Sequence, residues 1–200
     1  MIHLVGTLAG AIGSTVLVGI SAGAADRATF SAGSVYSVCL LMMLGCSAAY
    51  NLASNSPRRE ALRRLDHAAI FLMIAGSYTP FTACRLQGVW AIGTTAAVWT
   101  GAIGGAVMKL VCRPKFERVS IVVYLTLGWI VLVAVRPMLG SVDVPTAILL
   151  GVGGVLYSIG VVFHLWRALP FQNAIWHGFV LIGASCHYAA VMYGVVLAQS

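Results

Sequence analysis

Charge is the scarcest property of this 200-residue sequence, because 8% of its residues are Asp, Glu, Lys or Arg and 60% are hydrophobic. A soluble domain usually carries about 25% charged residues. So few charges cannot cover a water-facing surface, which excludes a soluble globular domain. The composition instead predicts an integral membrane protein. Most loops between the apolar segments are short, so we expect a single membrane domain over residues 1–200.

Lysine is nearly absent: the chain contains only Lys109 and Lys115. A retinal protein needs a lysine in its seventh helix, so this class is excluded. Internal repeats are absent as well, whereas a secondary transporter usually has repeated halves and discontinuous helices near the middle of the membrane. The sequence therefore disfavours a transporter.

Cysteine gives no sign of disulfides or of a metal cluster. The five cysteines include no CxxC pair, and most of them lie inside apolar segments. This pattern is typical of small apolar packing residues. They are Cys39, Cys46, Cys84, Cys112 and Cys186.

Seven apolar segments are present, and each is long enough for a membrane-spanning helix, which needs about 20 apolar residues. They predict an all-α bundle of seven transmembrane helices. We expect the first segment to be retained, because no Lys or Arg precedes it and it is long for a signal peptide. The start at Met1 leaves open whether further residues precede it. The predicted helices are 3–22, 34–52, 66–84, 89–110, 119–135, 146–166 and 174–198.

The basic residues are distributed unevenly between the loops. Nine follow the second, fourth and sixth predicted helices, and three follow the first, third and fifth. Because cytoplasmic loops carry the excess of Lys and Arg, this distribution predicts a cytoplasmic N-terminus and an outside C-terminus. Topology and anionic lipid headgroups account for the net charge of +7, so we expect no nucleic-acid partner.

Polar residues gather at the predicted cytoplasmic ends of four helices. The second and seventh helices each offer two polar residues spaced four apart, which therefore share a helix face. The third helix begins with an aspartate, and a carboxylate at the mouth of a membrane helix is costly enough to indicate a task. We predict one polar site at this end of the bundle. Its candidate residues are Ser47, Asn51, Asp66, His67, His164, Asn173 and His177.

Simpler roles are open for several of these residues. Asn51 and Asn173 can cap helix ends or meet interfacial water. Asp66 can be favoured by the dipole at the start of its helix, or it can pair with Arg63 or Arg64. These alternatives need no functional site.

The other histidines are expected to lie apart from this site. His187 follows His177 by ten residues, about 15 Å along a helix, so the two cannot bind one ion. We expect His187 to be a hydrogen-bonding group within the membrane, and His3 to be only interfacial.

Inside the predicted helices, two pairs of glycines are spaced four residues apart, so each pair lies on one helix face. They are Gly6 with Gly10 and Gly101 with Gly105. Small residues at such positions let neighbouring helices approach closely. We expect them to serve packing only.

Several motifs together resemble one known family. The longest are RRLDHAAIF at 63–71 and AGSYTPF at 75–81, and shorter ones are GW at 128–129, GG at 153–154 and AIWH at 174–177. Tyr157 and Gly160 also fit. In these motifs, and over nearly its whole length, the chain resembles the haemolysin III branch of the progestin and adipoQ receptor superfamily.

This resemblance implies seven membrane helices with a cytoplasmic N-terminus, in agreement with the distribution of charge, and a bacterial inner membrane location. It also implies a zinc ion near the cytoplasmic surface, held by three histidines from an S-x-x-x-H motif and an H-x-x-x-H motif. An aspartate at the start of the third helix holds a metal-bound water in the family. Some relatives resemble ceramidases, in which zinc-bound water attacks a lipid amide.

The sequence departs from these motifs at two of the three zinc ligands. Asn51 follows Ser47 where histidine is expected, and Asn173 replaces the first histidine of the other motif, while His177 and Asp66 are kept. An amide oxygen is a poor zinc ligand beside imidazole. We expect a polar pocket without metal, unless other side chains rebuild the zinc site. The candidates for that are His67 and His164.

Three functions follow as hypotheses. The first is a role in membrane lipid homeostasis or sensing, with membrane lipids as partners and an open oligomeric state. The second is a zinc-dependent lipid amide hydrolase in which Asp66 holds the attacking water and Ser47 assists. The third is cytolytic or pore-forming activity, as the family name says, although the sequence shows no secretion signal and no amphipathic β pattern.

Overall fold

The computed structural model describes residues 2–24, 26–53, 57–111 and 117–199, and these residues form helices without a strand. Cys112 and Lys115 lie outside the described residues. The predicted all-α class is confirmed. The helices are α1 (Ile2–Ala22), α2 (Arg27–Leu52), α3 (Arg59–Cys84), α4 (Gly88–Val111), α5 (Glu117–Gly128), a 3₁₀ segment (Ile130–Ala134), α6 (Val135–Ser141), α7 (Val144–Leu165) and α8 (Gln172–Val191), followed by one π turn (Met192–Val196) and a short 3₁₀ turn (Leu197–Gln199).

Six helices of the described chain are long and apolar enough to cross a membrane, which supports a multi-pass membrane protein. The remaining long helix, α3, has 26 residues but is less apolar, because it contains Asp66, His67 and the SYT stretch at 77–79. The six candidate spans are Ile2–Ala22, Arg27–Leu52, Gly88–Val111, Val119–Ser141, Val144–Leu165 and Gln172–Val196.

Neighbouring helices in the sequence are also neighbours in space. α1 packs on α2, α2 on α3 and α3 on α4, while α7 packs on α8. Contacts of α5 with α3, α4 and α7, and of α8 with α1 and α3, connect the two halves. Because successive helices alternate in direction, the ends of α2, α4 and α7 meet the starts of α1, α3 and α8.

α2 begins earlier than predicted, at Arg27 rather than Ser34. Asp26 caps it: its carboxylate accepts hydrogen bonds from the backbone N–H groups of Ala28 at 3.0 Å and Thr29 at 3.3 Å. The bond from Ala28 lowers the pKa of Asp26 below its usual value. A capping carboxylate satisfies amides that have no partner within the helix, which fixes this start.

α3 also begins earlier than predicted, at Arg59 rather than Asp66. Glu60 pairs with Arg63 at 3.0 Å and with Arg64 at 3.2 Å, spacings at which side chains meet on a helix surface. Asp66 therefore lies seven residues into the helix, and the expectation that it benefits from the dipole at a helix start is wrong. Arg63 and Arg64 both form ion pairs with Glu60.

The fifth predicted helix, 119–135, is not one regular helix. α5 ends at Gly128, a 3₁₀ segment follows, and α6 continues to Ser141. The Tyr78 hydroxyl of α3 spans the break, donating to the Gly128 carbonyl at 2.7 Å and accepting from the Val131 N–H at 3.0 Å. In a membrane, backbone groups need internal partners, so this hydroxyl lets the helix break without losing two hydrogen bonds.

Substituting Tyr78→Phe is expected to lower the free energy of unfolding by about 1–3 kcal/mol, because it removes the hydrogen bonds to the Gly128 carbonyl and the Val131 N–H at the break in the helix. Equilibrium unfolding in detergent measures the change. Tyr193→Phe removes the same atom from a side chain that is 62% exposed and should change stability little. Equal effects of the two substitutions would contradict the bridging role of Tyr78.

The predicted close packing at the glycine pairs is confirmed. A Cβ atom at Gly6 would lie 2.7 Å from Leu181, and one at Gly10 would lie 2.3 Å from Leu44. Real Cβ atoms do not approach so closely, so these positions accept only glycine without rearrangement. They hold α1 against α8 and α2, around the cavity described next.

Candidate functional site

A cavity of about 690 Å³ lies inside the bundle, and all seven polar residues predicted from the sequence line it. They come from the end of α2, the first half of α3, the end of α7 and the start of α8. We call this region the polar end of the cavity; it is defined by Ser47, Asn51, Asp66, His67, His164, Asn173 and His177. The structure thus places these seven residues around one cavity, and their role in a functional site stays a prediction.

From the polar end the cavity extends along α8 to His187, ten residues or about 15 Å from His177. Its walls in between are largely apolar. A cavity of this size, with apolar walls and a few polar groups, is typical of sites for small molecules. The apolar wall includes Met43, Leu44, Ile70, Ile74, Val161, Val180 and Leu181.

His3 of α1 also belongs to the polar end, so the expectation that it is only interfacial is wrong. Its ring packs edge to face on the His177 ring, with centroids 4.3 Å apart. Its Nδ1 lies 3.4 Å from the Ser47 hydroxyl. His3 therefore connects α1 with α2 and α8. No periodic pattern in the sequence indicates this contact, since the partners lie 44 and 174 residues away.

Ser47 is the centre of the hydrogen bonds at the polar end. Its hydroxyl interacts with the Asp66 carboxylate and lies 3.4 Å from His3 Nδ1, and its backbone carbonyl accepts from Asn51 Nδ2 at 2.8 Å. Asp66 is only 8% exposed. A buried carboxylate needs such a donor, so Ser47 stabilises Asp66 inside the bundle. The Asn51 amide nitrogen is used within its own helix.

His67 and His164 line the cavity and also connect neighbouring helices. The His67 carbonyl accepts from the Tyr124 hydroxyl at 2.9 Å, which fixes α5 to α3. The His164 ring lies 5.1 Å from the Trp176 ring, and the His164 carbonyl accepts from the Gln172 side chain. These bonds join the end of α7 to the start of α8.

Three cationic side chains line the cavity next to the polar end: Arg63 of α3, Lys109 of α4 and Arg167 after α7. The sequence analysis explains them by topology and by anionic lipid headgroups. Glu60, which does not line the cavity, holds Arg63 through two hydrogen bonds of 3.0 Å. The Arg63 guanidinium, together with Arg64, lowers the pKa of Glu60 to about 2. Glu60 therefore stays ionised near neutral pH and keeps these arginines in place.

Residues of several family-like motifs lie at the end of the cavity near His187. A Cβ atom at Gly153 would lie 2.3 Å from the His187 ring, so glycine makes room for this imidazole. The His187 ring meets Tyr157 edge to face at 5.4 Å. Trp129 Nε1 donates to the Ser158 hydroxyl at 3.0 Å. The GW and GG motifs thus build the inner wall where α5, α7 and α8 meet.

The residues present do not fit the zinc ion that the resemblance implies. Within 2–24, 26–53, 57–111 and 117–199, no three His, Cys, Asp or Glu side chains lie close enough together to hold a metal. His67 and His164 therefore do not complete a ligand set with His177 and Asp66. The Asn51 amide donates to a carbonyl, and neutral amides are weak ligands for zinc.

Comparison with known proteins gives a consistent result. Residues 1–188 match the family model described as haemolysin-III related. The Hemolysin-3 homolog of Bacillus subtilis (strain 168) is 35% identical over 159 residues, which cover 80% of this chain and 75% of that protein. Hemolysin-3 of Bacillus cereus is 36% identical over 162 residues, or 81% and 74% of the two chains. The monocyte to macrophage differentiation factor of Homo sapiens is 33% identical over 127 residues, or 63% and 52%.

Proposed function

Because the chain belongs to the haemolysin-III related family, we propose that it is a membrane protein of lipid homeostasis or sensing whose cavity binds a membrane lipid. The lipid's polar group lies at the polar end, among Ser47, Asn51 and His177, and its acyl part extends toward His187. No resident metal takes part. Family membership supports a location in the membrane, and the cavity supports a binding site for a lipid.

The proposed topology has seven crossings, with a cytoplasmic N-terminus, in the inner membrane of a bacterium. α3 is the additional crossing. Its polar side chains are used inside the bundle: Tyr78 bonds to the Gly128 carbonyl, and Thr79 accepts from Trp99 Nε1 at 3.1 Å. Polar groups that are paired inside the bundle are compatible with a membrane helix. The orientation rests on the distribution of Lys and Arg between the loops.

One observation carries the proposal: a single cavity joins a cluster of polar residues at one end to apolar walls that continue into the bundle. A lipid has the same division into a polar and an apolar part. The acyl chain is already out of water in the bilayer, so packing against the cavity walls, rather than exclusion from water, stabilises it there. The polar end fixes the orientation of the lipid.

Two alternatives have weaker support. Lipid amide hydrolysis is consistent with Ser47, Asp66 and His177 lining one cavity, but its water activation needs a metal that the side chains do not fit. Cytolysis rests on the names of the Bacillus relatives, which describe those proteins.

Filling the cavity is expected to remove a co-purifying lipid. Ser77 lines the cavity, and its hydroxyl bonds only to the Met73 carbonyl of its own helix, so Ser77→Phe places a ring in the space with little other cost. Native mass spectrometry from mild detergent should find about one retained lipid per wild-type chain and less than roughly a tenth of that in the variant, a difference of about 1.4 kcal/mol or more.

Ser185→Phe is the matched control. Ser185 is exposed and bonds in the same way to the carbonyl four residues before it, that of Leu181. This variant should retain lipid as the wild type does. A wild-type protein without retained lipid, or equal retention in all three proteins, would refute a lipid-binding cavity.

A further inference from the structure

The cations beside the polar end point to the charge of the ligand. Resting on the proposed lipid-binding function, we infer that the cavity selects an anionic amphiphile, whose phosphate or carboxylate head is held by Arg63, Lys109 and Arg167. These three side chains come from α3, from α4 and from the segment after α7, and all three line the same cavity as the apolar wall.

The balance of charge around the cavity supports this selection. Among the residues that the structure describes, three cationic side chains line it, against one acidic side chain, Asp66. Asp66 is buried and interacts with the Ser47 hydroxyl of its own protein. Glu60 holds Arg63 but does not line the cavity. An anionic head next to these cations gains charge-assisted hydrogen bonds, whereas a zwitterionic head brings its own cation against them.

The position of the cations also separates this selection from general attraction to the membrane surface. Lys and Arg near a bilayer attract anionic lipids wherever they lie. Arg63 and Lys109 are half-buried, however, and they share the cavity with Asn51 and His177. A head bound there has its acyl chain inside the bundle, so binding should be stoichiometric and should end when the cavity is filled.

The test is a titration of delipidated protein in detergent with two probes that share their acyl chains. Dioleoyl phosphatidylglycerol is anionic and dioleoyl phosphatidylcholine is zwitterionic. Native mass spectrometry should give one bound phosphatidylglycerol per chain, with at least about tenfold preference over phosphatidylcholine. The triple variant Arg63→Gln, Lys109→Gln, Arg167→Gln should reduce this preference to threefold or less.

A second triple variant controls for total charge. Arg27, Arg58 and Arg136 are exposed and do not line the cavity, so their replacement by Gln should leave the preference unchanged. Loss of preference in both triple variants would overturn the inference in favour of surface attraction. Inorganic phosphate at millimolar concentration should not displace the lipid, and displacement would show a site for a free anion instead.

Failure of the inference differs from failure of the proposed function. Equal binding of both lipids by the wild type, abolished by Ser77→Phe, would overturn anionic selection and keep a lipid-binding cavity. Binding of neither lipid would overturn both.

Discussion

Substituting Asn51→His and Asn173→His together is expected to give a protein that holds about one zinc ion per chain, whereas the wild type holds none after a wash with chelator. Both asparagines line the same cavity as His177 and Asp66. Positions 173 and 177 lie one turn apart on α8, so their side chains share a face. Three imidazoles with one open position form a typical zinc site, and neutral amides do not.

The measurement is elemental analysis of detergent-purified protein, with thermal unfolding as a second readout. Zinc that binds only the folded state should stabilise the double variant by about 2.7 kcal/mol at a concentration 100 times its Kd. The pair Asn51→Gln, Asn173→Gln is the control for altered size and should remain without zinc. Adding His177→Ala to the double histidine variant should remove most of the bound metal.

Zinc bound to the wild type would contradict the prediction that the unaltered protein holds none. Stoichiometric zinc in the unaltered protein, lost in both His3→Ala and His177→Ala, would show that α1 supplies a ligand in place of the missing histidines. His3 is the residue to test because its ring lies against His177 and its Nδ1 lies 3.4 Å from Ser47. That result would return zinc-dependent hydrolysis to first place among the functions.

Two adjacent glycines are expected to respond oppositely to the same substitution. A Cβ atom at Gly105 would lie 2.3 Å from Phe71 Cε1, and this ring is fully buried between α3 and α4. Gly105→Ala should therefore lower the free energy of unfolding by about 1–3 kcal/mol through overpacking. At Gly104 a Cβ atom meets nothing within 4 Å, so Gly104→Ala should leave stability unchanged or raise it by up to about 1 kcal/mol.

Thermal unfolding in detergent distinguishes the two variants, at about 2–4 °C per kcal/mol for a chain of this length. Adding Phe71→Leu to Gly105→Ala should recover part of the loss, since a smaller side chain relieves the overlap. The coupling between the two substitutions measures their contact directly. Equal shifts for Gly104→Ala and Gly105→Ala, or no coupling with position 71, would contradict close packing of α3 and α4 at this point.

The sequence was sufficient for the class of protein and for the end of the bundle where the site lies. Apolar segments of membrane length show the helices, because each has to match the bilayer by itself. Alternating direction then places the end of α2, the start of α3, the end of α7 and the start of α8 on the same side. The shared cavity of Asn51, Asp66, His164 and His177 follows from that alternation.

The predicted starts of α2 and α3 are wrong although the sequence contains local signals for the correct ones. Asp26 before α2 is a typical capping residue, and Glu60 stands three and four residues before Arg63 and Arg64, as in a helix. Apolar length alone predicts both helix starts too late, so the predicted helices are shorter than α2 and α3. Asp66 was consequently assigned to a helix start, although it lies two turns into α3.

Three further features were decided by the tertiary structure. The contact of His3 with His177 joins the two ends of the chain, and the Tyr78 hydroxyl allows α5 to stop at Gly128. Lys109 and Arg167 line one cavity although they lie far apart in the sequence. Each depends on how helices from distant parts of the sequence face one another. Hydrophobic length specifies that a helix crosses the membrane, but it leaves the rotation of that helix about its own axis open. Side-chain packing and hydrogen bonds between helices fix that rotation, and therefore fix which residues share the cavity.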